Sequence, residues 1–294
     1  VAKIAFRKSK PVEPAKEHLP LQLVRTMLFV PASRARAIEK ARDLDCDFVI
    51  LDLEDSVVAE DRDSARQAAI EAVKAGFNGK PCAIRINAEG RPEHGPDMVA
   101  VRAAAPDYVM VPKVIDARQA HDVYQVTQRH VIAMIESPAG IVNAQAIARE
   151  PGVSALLAGT NDLRRGLGVP PDAQRSAISF ALQSIVLAAR SAGVACFDGV
   201  YNGLEDQVGL ARECDEGRQM GFDGKSIIHP SHIAITNGAF SPREIIVEQA
   251  RALIEAYTGG AQRYDGRMIE AMHVAEAKAI VARHERLRGP ATGR

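Results

Sequence analysis

HVIAMIESPAGIVNAQAIAREPGVSALLAGTND (130–162) reads as a strand, a helix and a second strand. Its two apolar runs, HVIAMIE (130–136) and VSALLAG (153–159), have the length and residue types of buried strands. Between them, Ser137 supplies an N-cap and Pro138 a first-turn proline for a helix. Each run delivers an acid near its end: Glu136 on the first, and Asp162 just past the second. Neighbouring parallel strands lie about 5 Å apart, so these two carboxylates can converge on one hard divalent cation.

Six further runs extend the same alternation: TMLFV (26–30), DFVILDLE (47–54), CAIRIN (82–87), DYVMVPK (107–113), ACFDGV (195–200) and GKSIIH (224–229). Amphipathic segments follow them, among them SRARAIEKARDL (33–44), DRDSARQAAIEAVKAG (61–76) and SAISFALQSIVLAARSAG (176–193). Eight strands with eight helices predict an α/β chain folded as a (β/α)8 TIM barrel, whose strands are buried on both faces. An open doubly wound sheet is the alternative, but no Gly-x-Gly-x-x-Gly follows the first strand. The expected division is a disordered leader over 1–24, the barrel over 25–240 and a C-terminal helical extension over 241–294. Within the extension, helices near 242–258 and 268–287 flank TGGAQRYDG (258–266), whose glycines predict a flexible connection. Such an appendage suits a lid or a subunit contact.

Lys plus Arg (37) balances Asp plus Glu (37) in the 294 residues, which gives no reason to expect nucleic acid or an anionic membrane as partner. The basic first ten residues precede no apolar signal segment, and no run approaches the roughly 18 apolar residues of a membrane span. Cys46, Cys82, Cys196 and Cys214 are widely spaced, which predicts reduced thiols in a cytoplasmic protein.

The polar residues gather at the C-terminal ends of the strands, where barrels carry their active sites. Asp52, Glu54 and Asp55 end the second strand, Arg85 and Asn87 the third, Lys113 the fourth, and Glu136 the fifth, with Asp162 after the sixth. Two carboxylates without a His or Cys pair favour Mg²⁺, with Mn²⁺ as the second choice, over Zn²⁺; they leave coordination positions for a chelating 2-keto or 2-hydroxy acid. Arg85 is costly to bury alone, so either an ion pair with Glu54 or Asp55 or a direct substrate role is expected, and both can hold. Glu54 and Asp55 read as a balancing network for Arg85 and Lys113, or as groups that position water. For His229 a satisfied core imidazole is favoured over a general base. Arg25, Arg34, Arg36, Lys40 and Arg42 cluster around the first strand and its helix; most form a solvated face, and those near the strand end suit a phosphate.

At these residues the chain resembles the citrate lyase β-subunit-like branch of the HpcH/HpaI aldolase family. The likeness runs through RTMLFVPASR (25–34), LDLEDSV (51–57), RIN (85–87), VPK (111–113), IESPAG (135–140), AGTNDL (158–163), FDGVY (197–201) and GFDGKSIIHP (221–230), in that order. The resemblance implies a (β/α)8 barrel, a Mg²⁺ ion held by Glu136 and Asp162, and reversible carbon–carbon cleavage of a 3-hydroxyacyl thioester. It puts Arg85 on the substrate's oxygen and carboxylate, Gly159 at the substrate site, and coenzyme A near the end of strand 1, with Arg25, Arg34 and Lys40 as candidate contacts. It also implies a homotrimer or hexamer in which a C-terminal segment covers a neighbour's site. There the family's Gly-Lys-Met-Ile-Asp motif carries a proton-transferring Asp; this chain has Gly266-Arg267-Met268-Ile269-Glu270, one methylene longer. The aldolase branch relies on an early His, and none lies between His18 and His94. The expected activity is therefore cleavage of citramalyl-CoA or malyl-CoA to acetyl-CoA and pyruvate or glyoxylate. The alternatives are a citryl-carrier lyase subunit, a malyl-type thioesterase or synthase, and a weakly active scaffold.

Overall fold

Each of the eight runs forms a strand in the structure, a computed structural model that describes residues 20–288. They are β1 (Thr26–Pro31), β2 (Phe48–Asp52), β3 (Cys82–Arg85), β4 (Tyr108–Val111), β5 (His130–Ile135), β6 (Val153–Ala158), β7 (Ala195–Asp198) and β8 (Gly224–Ile227). All pair in parallel in chain order, and β8 returns to β1, closing the barrel. The outer layer comprises α1 (Ala35–Asp43), α2 (Arg62–Ala75), α3 (His94–Ala104), α4 (Ala117–Thr127), α5 (Pro138–Ala148), α6 (Thr160–Gly166), α7 (Ser179–Ala192), α8 (Gln207–Met220) and α9 (Ile233–Phe240). Both α6 and α7 follow β6, so that strand has a longer excursion at the mouth.

Successive strand residues face opposite sides, and this alternation sorts the core into two layers. Met27, Phe48, Ile50, Ala83, Met110, Ile132, Met134, Leu157 and Phe197 fill the barrel interior. Val49, Leu51, Ile84, Val109, Val111, Leu156 and Cys196 pack outward against helices. Counting two residues on from Ile50, Ala83, Met134 and Leu157 reaches Asp52, Arg85, Glu136 and Gly159, which therefore crown the interior at its C-terminal mouth.

The opposite parity explains a second set of charges. Asp198 and Lys225 are register partners on β7 and β8 and face outward, where α8 covers them. Lys225 Nζ donates to Asp198 Oδ2 at 2.9 Å and to Glu213 Oε1 at 2.7 Å. Arg175, from the connection between α6 and α7, donates to Asp198 Oδ1 at 2.8 Å and pairs with Glu213 at 3.0 Å. A side chain at Gly217 would put a carbon 2.8 Å from Asp198 Oδ2, so glycine there lets α8 seat over the network.

Two expected boundaries change. Residues 1–19 of the expected leader lie outside the described residues, but Leu21–Leu23 form a short 3-10 turn, and Leu21 and Val24 join the interior cluster. Burying these apolar side chains under the barrel floor gives 20–24 a defined place. The segment 258–266, read as a flexible connection, leads into an antiparallel hairpin of β9 (Gln262–Tyr264) and β10 (Arg267–Ile269). Its two-residue turn, Asp265-Gly266, has φ of 45° and 75°, the left-handed pair that an Asp-Gly hairpin turn requires.

Two helices frame this hairpin, α10 (Glu244–Ala256) and α11 (Ala271–Arg288). The Arg283 side chain of α11 donates to the carbonyls of Gln22, Asp223 and Phe240. These carbonyls belong to the N-terminal face of the barrel, so the extension docks there, away from the chain's own mouth. Among the described residues no helix is long and apolar enough to cross a membrane. Cys46, Cys82, Cys196 and Cys214 are all buried.

Candidate active site

A cavity of about 320 Å³ opens at the C-terminal mouth, lined among others by Asp52, Asp55, Arg85, Glu136, Gly159 and Asp162. Glu136 is 6% exposed, and its Oε1 accepts the Lys113 backbone N–H at 2.7 Å. Ser137 Oγ accepts from Gly140 N at 3.0 Å and Pro138 opens α5, so the helix cap does not draw on Glu136. Burial, reinforced by the charges of Glu54 and Asp162, pushes the Glu136 carboxyl up to about 7 against the opposing Lys113 N–H and Arg85. A buried acid beside two others is what a divalent cation would restore to its ionised form.

Gly159 makes this position possible. A Cβ there would fall on the Glu136 carboxylate and side chain, well inside contact distance. The backbone itself (φ −91°) would accept alanine, so the constraint is the carboxylate. Gly159→Ala is accordingly expected to weaken Mg²⁺ binding by about 10–100-fold, the range for disturbing a neighbour that orients a metal ligand. Titration calorimetry with Mg²⁺ checks this, and unchanged affinity would remove Glu136 from the ligand set.

Asp162 lies in the first turn of α6, whose N-cap is Gly159. Its carboxylate is partly exposed and pairs with Arg165 at 3.1 Å, a surface contact that a cation can readily replace. Two hard carboxylates facing one cavity fit a Mg²⁺-type ion that keeps open positions for substrate oxygens.

Arg85 donates from Nε to Asp52 Oδ1 at 2.6 Å and from Nη2 to Asp52 Oδ2 at 2.7 Å. Its Nη1 lies 3.2 Å from Glu54 Oε2 and 3.5 Å from Asp55 Oδ2, and the guanidinium stacks 4.9 Å over Phe29. The ion pair foreseen with Glu54 or Asp55 therefore has Asp52 as its main partner. The cause is register: Asp52 and Arg85 are side by side on β2 and β3. Burial works against the Asp52 charge, yet Arg85 and the hydrogen bonds from Ser56 and Glu54 hold its carboxyl below the ordinary range. Glu54 Oε1 takes the Lys113 Nζ at 2.6 Å, so Glu54 bridges the two cations, while Asp55 is largely exposed.

The remaining candidates separate. Arg34 caps α1 at the rim, and Lys40 is in the last turn of that helix, below the rim. Arg25 is at the opposite end of the barrel, bound by Nε and Nη2 to Asp47 at 2.8 and 2.7 Å, which corrects its assignment to the coenzyme A site. It precedes β1, and the mouth is where β1 ends. Glu270 is exposed at the start of α11, its N–H donating to His273 Nδ1, and it does not line the chain's own cavity. His229 is not a core imidazole: it is exposed, with Nδ1 2.7 Å from Ser231 Oγ. Lys113 as a backbone donor and Asp52 as the clamp on Arg85 were not foreseen; strand alternation and register would have signalled Asp52.

The model of the HpcH/HpaI aldolase/citrate lyase family matches residues 25–230. A (3S)-malyl-CoA thioesterase of Cereibacter sphaeroides is 35% identical, covering 89% of this chain and 94% of the relative. The citrate lyase subunit beta of Escherichia coli is 30% identical over 89% and 93% of the two chains. Among solved structures, the CitE protein of Mycobacterium tuberculosis in complex with magnesium, acetoacetate and coenzyme A superposes with a TM-score of 0.79 at 28% identity, covering 90% of this chain and 99% of that one. The citrate lyase beta subunit of the same organism, complexed with oxaloacetate and magnesium, gives 0.68 at 31% identity over 76% and 99%. With the closed barrel and its carboxylate-lined mouth, these matches establish that the chain belongs to the HpcH/HpaI aldolase/citrate lyase family.

Proposed function

We propose that the protein is a Mg²⁺-dependent lyase that reversibly cleaves a 3-hydroxyacyl-CoA, citramalyl-CoA or malyl-CoA, to acetyl-CoA and a 2-keto acid. The observation that carries this reading is a buried Glu136, poor in counter-charge, in one cavity with Asp162 and the Asp52-clamped Arg85. When bound by Glu136 and Asp162, Mg²⁺ (or Mn²⁺) supplies a Lewis acid for the oxygens of a chelating acid. Arg85, held rigidly by Asp52, directs Nη1 at the oxygen that passes from hydroxyl to carbonyl, where a fixed cation stabilises charge without reorganising. Arg34 at the rim, with Lys40 below it, is the candidate contact for coenzyme A phosphates.

The hydroxyl proton is lost as the carbonyl forms and the departing acetyl-CoA enolate takes one up; Glu270 of a neighbouring subunit is the candidate for this proton transfer in a homotrimer or hexamer. This is supported by the exposure of the hairpin and following helix, with Met268 at 68% and Met272 at 59%, and by their distance from the chain's own mouth.

Thioester hydrolysis is the second reading, favoured by the malyl-CoA thioesterase relative. A panel of acetyl-CoA or propionyl-CoA with pyruvate, glyoxylate and oxaloacetate, plus Mg²⁺, separates the two. Condensation, and cleavage of the purified product back to acyl-CoA without free CoA, is the expected result. Release of free CoA as the only product selects the thioesterase, and activity restricted to carrier-bound acyl groups would point to a citryl-carrier subunit.

A further inference from the structure

Lys113 follows β4 with φ at 53°, a left-handed conformation that a residue with a side chain adopts at some cost and that gathers at functional sites. This backbone aims its N–H at Glu136 Oε1, 2.7 Å away, while its Nζ reaches Glu54 Oε1 at 2.6 Å. One residue thus touches both the proposed metal carboxylate and the acid nearest the Nη1 of Arg85.

The guanidinium of Arg85 has a single nitrogen not committed to Asp52, namely Nη1. Glu54 Oε2 stands 3.2 Å from it but lacks hydrogen-bond alignment, and this buried oxygen has no hydrogen-bond partner. Nη1 does donate to Asp55 Oδ2, but at 3.5 Å to a largely exposed carboxylate, a long contact that a substrate oxygen can displace. Without Lys113, Glu54 would gain by turning fully onto Nη1, because charge-assisted Arg–carboxylate bonds are the strong ones.

We propose that Lys113 is a positioning residue: its ammonium holds Glu54 back from Arg85, keeping Nη1 open to a substrate oxygen, while its backbone N–H orients Glu136. The proposal deepens the lyase reading and rests on it for the identity of that oxygen.

The test uses the full chain with Mg²⁺ and whichever acyl-CoA the wild type cleaves. Lys113→Met should lower kcat about 10–100-fold with KM changed less than about threefold, the signature of an interaction made mainly in the transition state. Lys113→Arg should retain most of the rate. The double variant Glu54→Gln/Lys113→Met should be faster than Lys113→Met, because a neutral Gln no longer closes on Arg85. A merely structural lysine would not be rescued in this way, so a double variant no faster than Lys113→Met, or a wild-type kcat in Lys113→Met, overturns the proposal.

A crystal structure of Lys113→Met gives a reading independent of turnover. Glu54 Oε2, now 3.2 Å from Arg85 Nη1 without hydrogen-bond alignment, should turn into an aligned bond of about 2.8 Å. An unmoved Glu54 overturns the idea. The Lys113 side chain is 38% exposed, so folding should survive, and Lys113→Gln provides a second neutral variant. A wild type inactive across the whole substrate panel would defeat the lyase reading instead, while the crystal still decides the position of Glu54.

Discussion

Glu136→Gln is expected to lower turnover about a thousandfold, because the several kcal/mol supplied through a bound Lewis acid amount to about three decades of rate. The change is nearly isosteric. Gln keeps an oxygen to accept the Lys113 N–H, and it removes a carboxylate buried beside Glu54 and Asp162. The metal-free variant should therefore be at least as stable as wild type. The discriminating measurement is thermal melting with and without Mg²⁺, alongside kcat. Wild type should gain stability from the ion by mass action, and the variant should lose that gain together with its turnover. Wild-type turnover in Glu136→Gln would mean that the metal is held elsewhere.

The second large effect falls on stability. Asp198→Ala should cost about 3–5 kcal/mol, the range for breaking a buried ion pair and leaving its partners uncompensated. Lys225 is fully buried, and both it and Arg175 would retain Glu213 as their main counter-charge. Coulomb attraction inside the wall cannot then offset the desolvation already incurred. Urea unfolding of the two proteins reads the difference directly, and a loss under about 1 kcal/mol would show that water or Glu216 takes over from Asp198. Since Arg175 anchors the connection that follows α6, the variant should also loosen the segment just beyond Asp162.

Most of the barrel was legible from one dimension. The eight strand runs are local facts: short apolar stretches, each followed by an amphipathic segment, that must bury both faces. Glu136 was legible too, because Ser137 and Pro138 visibly satisfied the helix start and left the acid without a local task. The hairpin at 262–269 was equally local, and its Asp-Gly turn was overlooked in favour of the preceding glycine pair. Arg25 was misplaced by proximity to strand 1 in sequence, although it enters that strand and so belongs to the opposite face. The buried leucines near 21–23 escaped because their apolar character has meaning only beneath a barrel floor.

By itself, then, the sequence determined the barrel, the mouth at which its acids gather, and the presence of Glu136 and Asp162 at that mouth, because strand length, alternation and helix capping are properties of neighbouring residues. Only the tertiary structure decided that Arg85 binds Asp52 first, that Lys113 stands between Glu54 and Glu136, and that the C-terminal extension docks under its own barrel. Those choices depend on strand register and on helix docking between segments tens to hundreds of residues apart, where small differences in packing and desolvation select one partner among several of the same charge.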